Sequence, residues 1–277
     1  MAESRLARLW GKERPAVMGV LNVTPDSFSD GGRFAAPADA IAQGLRLLGE
    51  GADLLDVGGE STRPGAAPVD EEVERERVVP VIAALAGRFP GALIAVDTAK
   101  AGVARAALAA GATMVNDVSA GGDPEMLELI GEAGAAVVLM HMRGAPRTMQ
   151  QDTRYTDVVA EVHAFLAERA AAALAAGIPG ENIVLDPGIG FGKDVEGNLR
   201  LLAALLDLAA LGFPVAVGAS RKSFIGALSG APVGQRLPGS LAALAGTLEL
   251  DRALVRVHDV AETVQFLTLL AAMRRAR

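Results

Sequence analysis

Three acidic or amide residues, far apart in the chain, have the chemistry to bind one edge of a heterocycle. Asp97, Asn116 and Asp186 each stand at the end of a short apolar run. Their oxygens accept hydrogen bonds and the one amide group also donates, which suits a ring that presents amino and ring N–H groups along one edge. A pterin or a guanine-like ring is the natural candidate for such a site.

A second set of residues consists of donors and cations, which suit the oxygens of a phosphate. It comprises Asn22, Thr62, Arg63, Lys222, Arg256 and His258. Charged donors make short, strong hydrogen bonds to phosphate groups. An anionic leaving group beside the ring is therefore expected, and the mouth that binds it can be positive within an acidic protein because its lining sets the local field.

Each of these residues, taken alone, also has a structural explanation, such as capping a helix or pinning a turn. The same strand ends carry Asp56, Asp117 and His141, and His141 could be a satisfied imidazole in the core. Taken together, the polar groups favour a functional explanation over a structural one. Several carboxylates and amides in one mouth would cost several kcal/mol in desolvation without a ligand to pair with.

Residues so far apart need a scaffold that brings strand ends together. Short apolar, β-branched runs occur at 16–23, 54–59, 93–98, 114–120, 136–143, 182–188, 214–220 and 254–260. Each is followed by an Ala- and Leu-rich stretch with helical periodicity. This alternation predicts one (β/α)₈ TIM barrel over residues 1–277, with 1–15 as an N-terminal extension, and an active site at the C-terminal ends of the strands.

A doubly wound open sheet is the main alternative architecture. It would need a phosphate loop such as GxGxxG after the first strand, and the sequence there reads NVTPDSFSDGG. The barrel also predicts two long Gly- and Pro-rich loops, at 24–34 and 60–68, which carry Phe28, Asp30, Arg63 and Pro64. With little apolar anchoring, these loops are expected to move and to close over substrates, although they could be simple linkers.

Composition excludes several classes of protein and of site. The chain has 277 residues, of which 51% are hydrophobic and 21% charged, so it can bury a large core. It has no cysteine and three histidines, which excludes disulfides, thiolate nucleophiles and cysteine-based zinc sites. Any metal must be held mainly by oxygen.

Charge and hydropathy narrow the partners to small molecules. The net charge of −7, with one Trp and one Tyr, argues against a nucleic-acid surface. No apolar run is long enough to span a membrane, and the first residues mix charges with isolated apolar side chains, unlike a signal peptide. A cytoplasmic location is therefore expected.

Eight motifs, in order along the chain, resemble those of the dihydropteroate synthase family. They are MGVLNVTPDSFSDGG (18–32), DVGGESTRPGA (56–66), VDT (96–98), VND (115–117), LMHM with TMQ (139–150), LDPGIGFGK (185–193), GASRKSFIG (218–226) and RVHDV (256–260). The first, second and seventh are long enough to make chance agreement negligible. Ala219 and Ile189 are minor departures, which put fine substrate affinity in doubt but not the reaction.

The resemblance implies a reaction and an assignment of residues. The reaction joins 6-hydroxymethyl-7,8-dihydropterin pyrophosphate to 4-aminobenzoate, giving 7,8-dihydropteroate and pyrophosphate, with Mg²⁺ as cofactor. The implied pterin site comprises Asp97, Asn116, Asp186, Lys222, Met140, Phe191, Gly218 and Arg256; the pyrophosphate site comprises Asn22, Thr62, Arg63, Arg256 and His258; and the 4-aminobenzoate site comprises Phe28, Pro64, Phe191, Lys222 and Ser223. Asn22 is the implied protein contact to Mg²⁺, and the implied catalytic residues are Asp97, Lys222, Arg256, Arg63 and Asp30.

The implied mechanism needs no protein nucleophile, because pyrophosphate can leave first while the dihydropterin ring delocalises the resulting cation. Two other functions stay open at this point. A methyl-folate-binding methyltransferase barrel would share the Asp, Asn, Asp set but not the NVTPDSFSDGG and SRKSxIG loops, and an inactive scaffold would have no reason to keep the polar mouth. A homodimer through the apolar last helix, 261–273, is a further expectation based on the family.

Overall fold

A closed barrel of eight parallel strands forms the centre of the protein. The computed structural model describes residues 6–24, 35–62 and 65–276. The strands are β1 (Ala16–Asn22), β2 (Leu54–Gly58), β3 (Leu93–Asp97), β4 (Met114–Asp117), β5 (Ala136–Met140), β6 (Ile183–Asp186), β7 (Val215–Val217) and β8 (Ala253–Val257). Each strand pairs with its neighbour in the chain, and β8 closes on β1. Seven lie within the runs marked from the sequence, and β8 begins one residue before its run, so the predicted (β/α)₈ barrel is confirmed.

Helices follow every strand and cover the outside of the barrel. They are α1 (Ala7–Trp10), α2 (Ala35–Gly49), α3 (Glu71–Arg88), α4 (Ala101–Ala109), α5 (Met126–Glu132), α6 (Val158–Ala175), α7 (Val195–Ala203), α8 (Leu205–Ala209), α9 (Ser223–Ser229), α10 (Leu237–Ala242) and α11 (Val260–Arg275), with short 3₁₀ turns at Gly180–Asn182, Val233–Gln235 and Ala245–Glu249. None of the helices in the described ranges has the length and apolar character needed to cross a membrane.

The sequence of α6 illustrates why these segments are helical. Asp157 begins the helix by accepting hydrogen bonds from the backbone N–H groups of Val159 and Ala160. Buried side chains then recur every three or four residues, for example at Val162 and Leu166, and form the face that packs on the barrel.

Alternation along each strand decides which side chains fill the barrel. The lower interior holds a cluster of apolar residues spaced two apart in each strand, comprising Ala16, Met18, Leu54, Leu93, Ala95, Met114, Ala136, Val138, Val184, Ala216 and Leu254. Because strand side chains alternate with a period of two, the next inward positions after these lie at the C-terminal mouth. The polar strand-end residues can therefore be sorted into those that face the mouth and those that face the helices.

The N-terminal extension closes the opposite end of the barrel. Leu6 and Leu9, on and beside α1, are 1% and 3% exposed and join the apolar cluster of the lower interior. Asp53 holds the chain between α1 and β1, since it accepts from Arg14 Nη1 at 2.7 Å and from the backbone N–H of Val17 at 2.7 Å. Residues 6–15 of the extension thus pack on the core and seal the barrel floor.

Candidate functional site

Arg256 connects three strands across the barrel mouth. Its Nε donates to Asp56 Oδ2 at 2.5 Å and its Nη2 donates to Asp97 Oδ2 at 2.7 Å. Asn116 Nδ2 donates to the same Asp56 oxygen at 3.1 Å. Burial by itself would lower the pKa of Arg256, but the carboxylates of Asp56 and Asp97 raise it above the ordinary value. The guanidinium is therefore a fixed cation at the top of the barrel.

Asp56 is a site residue that had no predicted role. It is fully buried and is the shared acceptor of Arg256 and Asn116. A signal was present, because Asp56 lies two residues after Leu54, which faces the lower interior, and a period of two makes it face inward as well. The strand alternation could thus have identified it.

Two buried carboxylate oxygens in this network have no hydrogen-bond partner among the described residues. They are Asp56 Oδ1 and Asp97 Oδ1. Burial raises the pKa of Asp97 to about 7, although the nearby cation of Arg256 opposes that rise. A buried polar atom without a partner is costly, and an N–H donor from a ligand would satisfy it.

Asp186 and Lys222 form the other side of the mouth. Asp186 Oδ1 accepts from the backbone N–H of Gly188 at 2.7 Å. Burial raises the pKa of Asp186 and lowers that of Lys222 to about 7, while the attraction between the two opposes both changes. A Cβ atom on Gly218 would lie 3.8 Å from Lys222 Nζ and 4.0 Å from Asp186 Oδ2. A side chain at that position would project into the space between the pair.

An apolar wall lies beside these polar groups. Met140 and Phe191 are 4% and 9% exposed and pack together with Val118 and Met149. Lys222 Nζ lies 4.3 Å from the centroid of the Phe191 ring, a cation–π distance, and donates to the Ile189 carbonyl. The mouth therefore combines hydrogen-bonding groups with a flat apolar surface, as a planar heterocycle requires.

Three of the residues predicted to bind the anion, Asn22, Thr62 and His258, are more exposed than the carboxylates of the mouth. Asn22 ends β1 and Thr62 lies after β2, and both are partly exposed. His258 is half-buried, with Nδ1 at 3.0 Å from Ser220 Oγ, while Ser223 is exposed at the first residue of α9. Four of the predicted site residues, Phe28, Asp30, Arg63 and Pro64, lie outside the described residues, as does most of the first predicted mobile loop.

Two polar strand-end residues do not face the mouth. Asp117 accepts from the backbone N–H groups of Ser119 and Gly121, at 2.8 and 2.6 Å, and so shapes the turn after β4. His141 packs edge-on against Phe165 of α6, with 4.9 Å between ring centroids. Each lies one residue after a side chain that faces the mouth, Asn116 or Met140. Because side chains alternate along a strand, Asp117 and His141 face away from the mouth and have structural roles.

Comparison with known proteins agrees with this geometry. The family described as "Pterin binding enzyme" matches residues 18–258. The dihydropteroate synthase of Escherichia coli K12 is 46% identical over 95% of this chain and 93% of its own length, and that of Mycobacterium leprae is 48% identical over 94% of each. The chain belongs to the dihydropteroate synthase family. The resemblance inferred from the eight motifs is confirmed, and the chain is an enzyme of the transferase class.

Solved structures of this family have the same fold. The Xanthomonas albilineans dihydropteroate synthase with 4-aminobenzoic acid superposes with a TM-score of 0.88 at 51% identity, covering 94% of this chain and 93% of that one. The same protein in complex with 7,8-dihydropteroate gives a TM-score of 0.84 at 48% identity, covering 94% of each chain. The family likeness thus extends over nearly the whole barrel.

Proposed function

We propose that this chain condenses 6-hydroxymethyl-7,8-dihydropterin pyrophosphate with 4-aminobenzoate and releases pyrophosphate, the dihydropteroate-forming step of folate biosynthesis. The observation that supports this most directly is the mouth itself. Asp97, Asn116 and Asp186, which are far apart in the sequence, converge beside Lys222, and Asp97 has a buried oxygen without a partner among the described residues. Relatives in this family were solved with 4-aminobenzoic acid and with 7,8-dihydropteroate.

In this proposal the ring binds edge-on to the acidic groups. Asp186 and Asp97 accept from N–H groups of the pterin, Asn116 completes the edge, and Lys222 donates to the ring carbonyl. Met140, Phe191 and Gly218 give the slot its width. The guanidinium of Arg256, held by two carboxylates, lies over the ring and faces the departing phosphates.

The chemical step is then mainly electrostatic. The bond between the pterin methylene carbon and the pyrophosphate oxygen breaks, and its electron pair leaves with pyrophosphate. The ring delocalises the resulting cation, which the carboxylates of Asp97 and Asp30 favour. The neutral amine of 4-aminobenzoate attacks the methylene carbon and loses a proton. Fixed charges that are opposite in sign to the charges developing in the transition state lower the activation barrier of this step without a protein nucleophile.

Magnesium fits the donors at the rim as an ion that arrives with pyrophosphate. The described residues contain no group of three or more His, Cys, Asp or Glu side chains that could hold a metal by themselves. Mg²⁺ commonly takes one or two protein oxygens together with phosphates and water, and the partly exposed Asn22 offers one amide oxygen. When bound, Mg²⁺ would neutralise charge on the leaving group. Thr62, Arg63, Arg256 and His258 would bind the remaining phosphate oxygens.

The second substrate binds at the outer end of the slot. Phe191, Lys222 and Ser223 form the part of this proposed pocket that lies within the described residues, and Phe28 and Pro64 would complete it. The exposure of Ser223 leaves this part open toward solvent. Both the closure of the two loops over the pocket and their mobility stay predictions.

Pyrophosphate release tests the proposed activity. Purified protein with Mg²⁺ should release pyrophosphate from the pterin substrate and form 7,8-dihydropteroate only when 4-aminobenzoate is present. A methyl-folate-binding barrel would release none, and neither would an inactive scaffold. Binding of a methylated folate without any pyrophosphate release from the pterin substrate would overturn the proposal.

A homodimer and a cytoplasmic location complete the proposal. Leu269 and Met273 of α11 are 62% and 57% exposed, which supports an apolar contact through the last helix. Sedimentation should then show a dimer that Leu269→Lys converts to a monomer. A monomeric wild-type protein at micromolar concentration would contradict this contact. The cytoplasmic location stays a prediction from the sequence.

A further inference from the structure

The loop between β6 and α7 has side-chain partners for five consecutive backbone carbonyls. These pairs are Gly188 with Lys193 (3.0 Å), Ile189 with Lys222, Gly190 with Gln150 (2.9 Å), Phe191 with Lys193 (2.9 Å) and Gly192 with Tyr155 (2.9 Å). Gly188, Gly190 and Gly192 have positive φ angles of 67°, 84° and 64°. Such a backbone forms no regular ladder of its own, so side chains must satisfy it.

Lys193 is the centre of this arrangement. It is only 3% exposed, and its Nζ donates to the carbonyls of Gly188, Phe191 and His141, the last at 3.2 Å. An ammonium group has three N–H donors, which these three carbonyls and His141 Nδ1 share. The His141 carbonyl lies just after β5, so Lys193 connects the end of one strand to the loop that follows the next.

Burial and the nearby cation of Lys222 disfavour the cationic form of Lys193, whereas the carboxylate of Asp186 favours it. His141 Nδ1 lies 2.9 Å from Lys193 Nζ, and burial lowers the pKa of His141 to about 3, so the imidazole stays neutral. Burial also lowers the pKa of Lys193 to about 7, and the carboxylate of Asp186 opposes this. The ammonium is therefore present at and below neutral pH.

The loop that Lys193 holds contacts the site directly. Phe191 provides the ring beneath Lys222 Nζ, and the Ile189 carbonyl accepts from the same nitrogen. A Cβ atom on Gly190 would lie 2.8 Å from Lys222 Cδ, so the loop backbone also limits the path of that side chain. A shift of this loop would move the group that is proposed to bind the ring carbonyl.

We propose that Lys193 is a positioning residue, which fixes the β6–α7 loop and, through Phe191 and Ile189, the side chain of Lys222 in the ring slot. Lys193 touches neither substrate in this proposal and acts only through its neighbours. The inference rests on the proposed function, because the ring slot is its point of action. Loss of ring affinity, rather than loss of the fold, is the expected consequence of removing it.

A charge effect separates this role from a purely structural one. Asp186 faces three cationic side chains, Lys222, Lys193 and Arg256, and each lowers its pKa against the effect of burial. Removing Lys193 should raise the pKa of Asp186. The acid limb of pterin binding, which is the loss of affinity at low pH as Asp186 becomes protonated, should then move to higher pH in Lys193→Met. Lys193→Arg should return this limb to its wild-type position, because the cation returns.

Calorimetric titration with 6-hydroxymethylpterin measures both effects. We expect Lys193→Met to weaken binding about tenfold at pH 6.5 in folded protein, where Lys193 is an ammonium, since it removes three hydrogen bonds around the slot. The KM for the pterin substrate should rise in parallel, with a smaller change in kcat. Lys193→Arg should recover most of the affinity. Lys12→Met, which removes a lysine paired with Asp53 at the barrel floor, is the control and should bind as wild type does.

The outcomes separate the two proposals. If wild-type protein binds no pterin, the proposed function fails. If wild type binds but Lys193→Met matches it in affinity, KM and pH profile, even with a lower melting temperature, Lys193 is merely structural. Should Lys193→Met not fold, Lys193→Gln keeps two N–H donors without the charge, and an unchanged acid limb in that variant would overturn the inference.

Discussion

Asp186 and Asp117 are each the last residue of a barrel strand, yet only Asp186 faces the mouth. Asp186→Ala should weaken pterin binding by about 2 to 5 kcal/mol, because N–H groups of the ring lose a buried acceptor. Asp117→Ala is the matched control, since it removes a turn-forming carboxylate that points away from the site. It should lower the melting temperature and leave pterin affinity unchanged. Calorimetry on both variants checks this, and equal affinities would remove Asp186 from the site.

Arg256 combines a structural and a catalytic role, and the two can be measured separately. Arg256→Ala leaves Asp56 and Asp97 without their cation and should destabilise the fold. In the protein that remains folded, turnover should fall by roughly 10²-fold or more, by analogy with loss of one charge-stabilising donor. Arg256→Lys should recover little of the turnover, because an ammonium group cannot donate to two carboxylates and also lie flat over a ring. If stability drops while pyrophosphate release at saturating substrates and Mg²⁺ stays near wild type, Arg256 only supports the barrel.

The raised pKa of Asp97 predicts a dependence of stability on pH. Its value in the folded protein is about 7, against 3.8 ordinarily, so between these values the folded protein keeps a proton that the unfolded chain has lost. Folding then becomes less favourable as pH rises from about 4 to about 7. Asp97→Asn removes this dependence, so in urea titrations its stability relative to wild type should increase over that range. A constant difference between the two proteins would show that Asp97 ionises normally.

At the scale of elements, the sequence predicted what depends on local pattern. Continuous apolar runs such as 93–98 marked every strand, because a strand buried on both faces needs apolar side chains throughout. The facing of Asp117 and His141 was left open, although each lies one residue after an inward-facing side chain and strand side chains alternate. The four-residue helix α1 was missed because ARLW is too short to show a period. The contacts of Lys193 could not be predicted either, as they depend on three separate carbonyls of irregular backbone.

The role of α1 as the barrel floor leads to a prediction about stability alone. Leu9→Ala should lower the free energy of unfolding by about 2 to 5 kcal/mol, since Leu9 packs into the apolar interior cluster. Leu174→Ala, at a helix position 47% exposed, is the control and should have little effect. The kcat of the folded Leu9→Ala enzyme should match wild type, because the floor lies opposite the mouth. Urea titration and steady-state turnover together test this, and a large fall in kcat would contradict it.

For the whole molecule, the described part of the mouth carries charges of both signs. It holds the carboxyl groups of Asp56, Asp97 and Asp186 beside two cations, Lys222 and Arg256. Such a surface suits a ring that becomes cationic and disfavours free pyrophosphate. We therefore expect binding of the anion to depend on Mg²⁺ and on the predicted contact from Arg63, which lies outside the described residues.

The two substrates are expected to bind in a fixed order. Ser223, at the edge of the proposed 4-aminobenzoate pocket, is exposed, and Phe28 and Pro64 would complete that pocket from the two loops. If those loops close over bound pyrophosphate, 4-aminobenzoate should bind weakly to the free enzyme and tightly once Mg²⁺, pyrophosphate and a pterin are present. Equilibrium dialysis with labelled 4-aminobenzoate, with and without these three, measures the difference. Because a ligand shifts a conformational equilibrium only through differential affinity, equal binding in both conditions would show that the pocket is complete before pyrophosphate arrives.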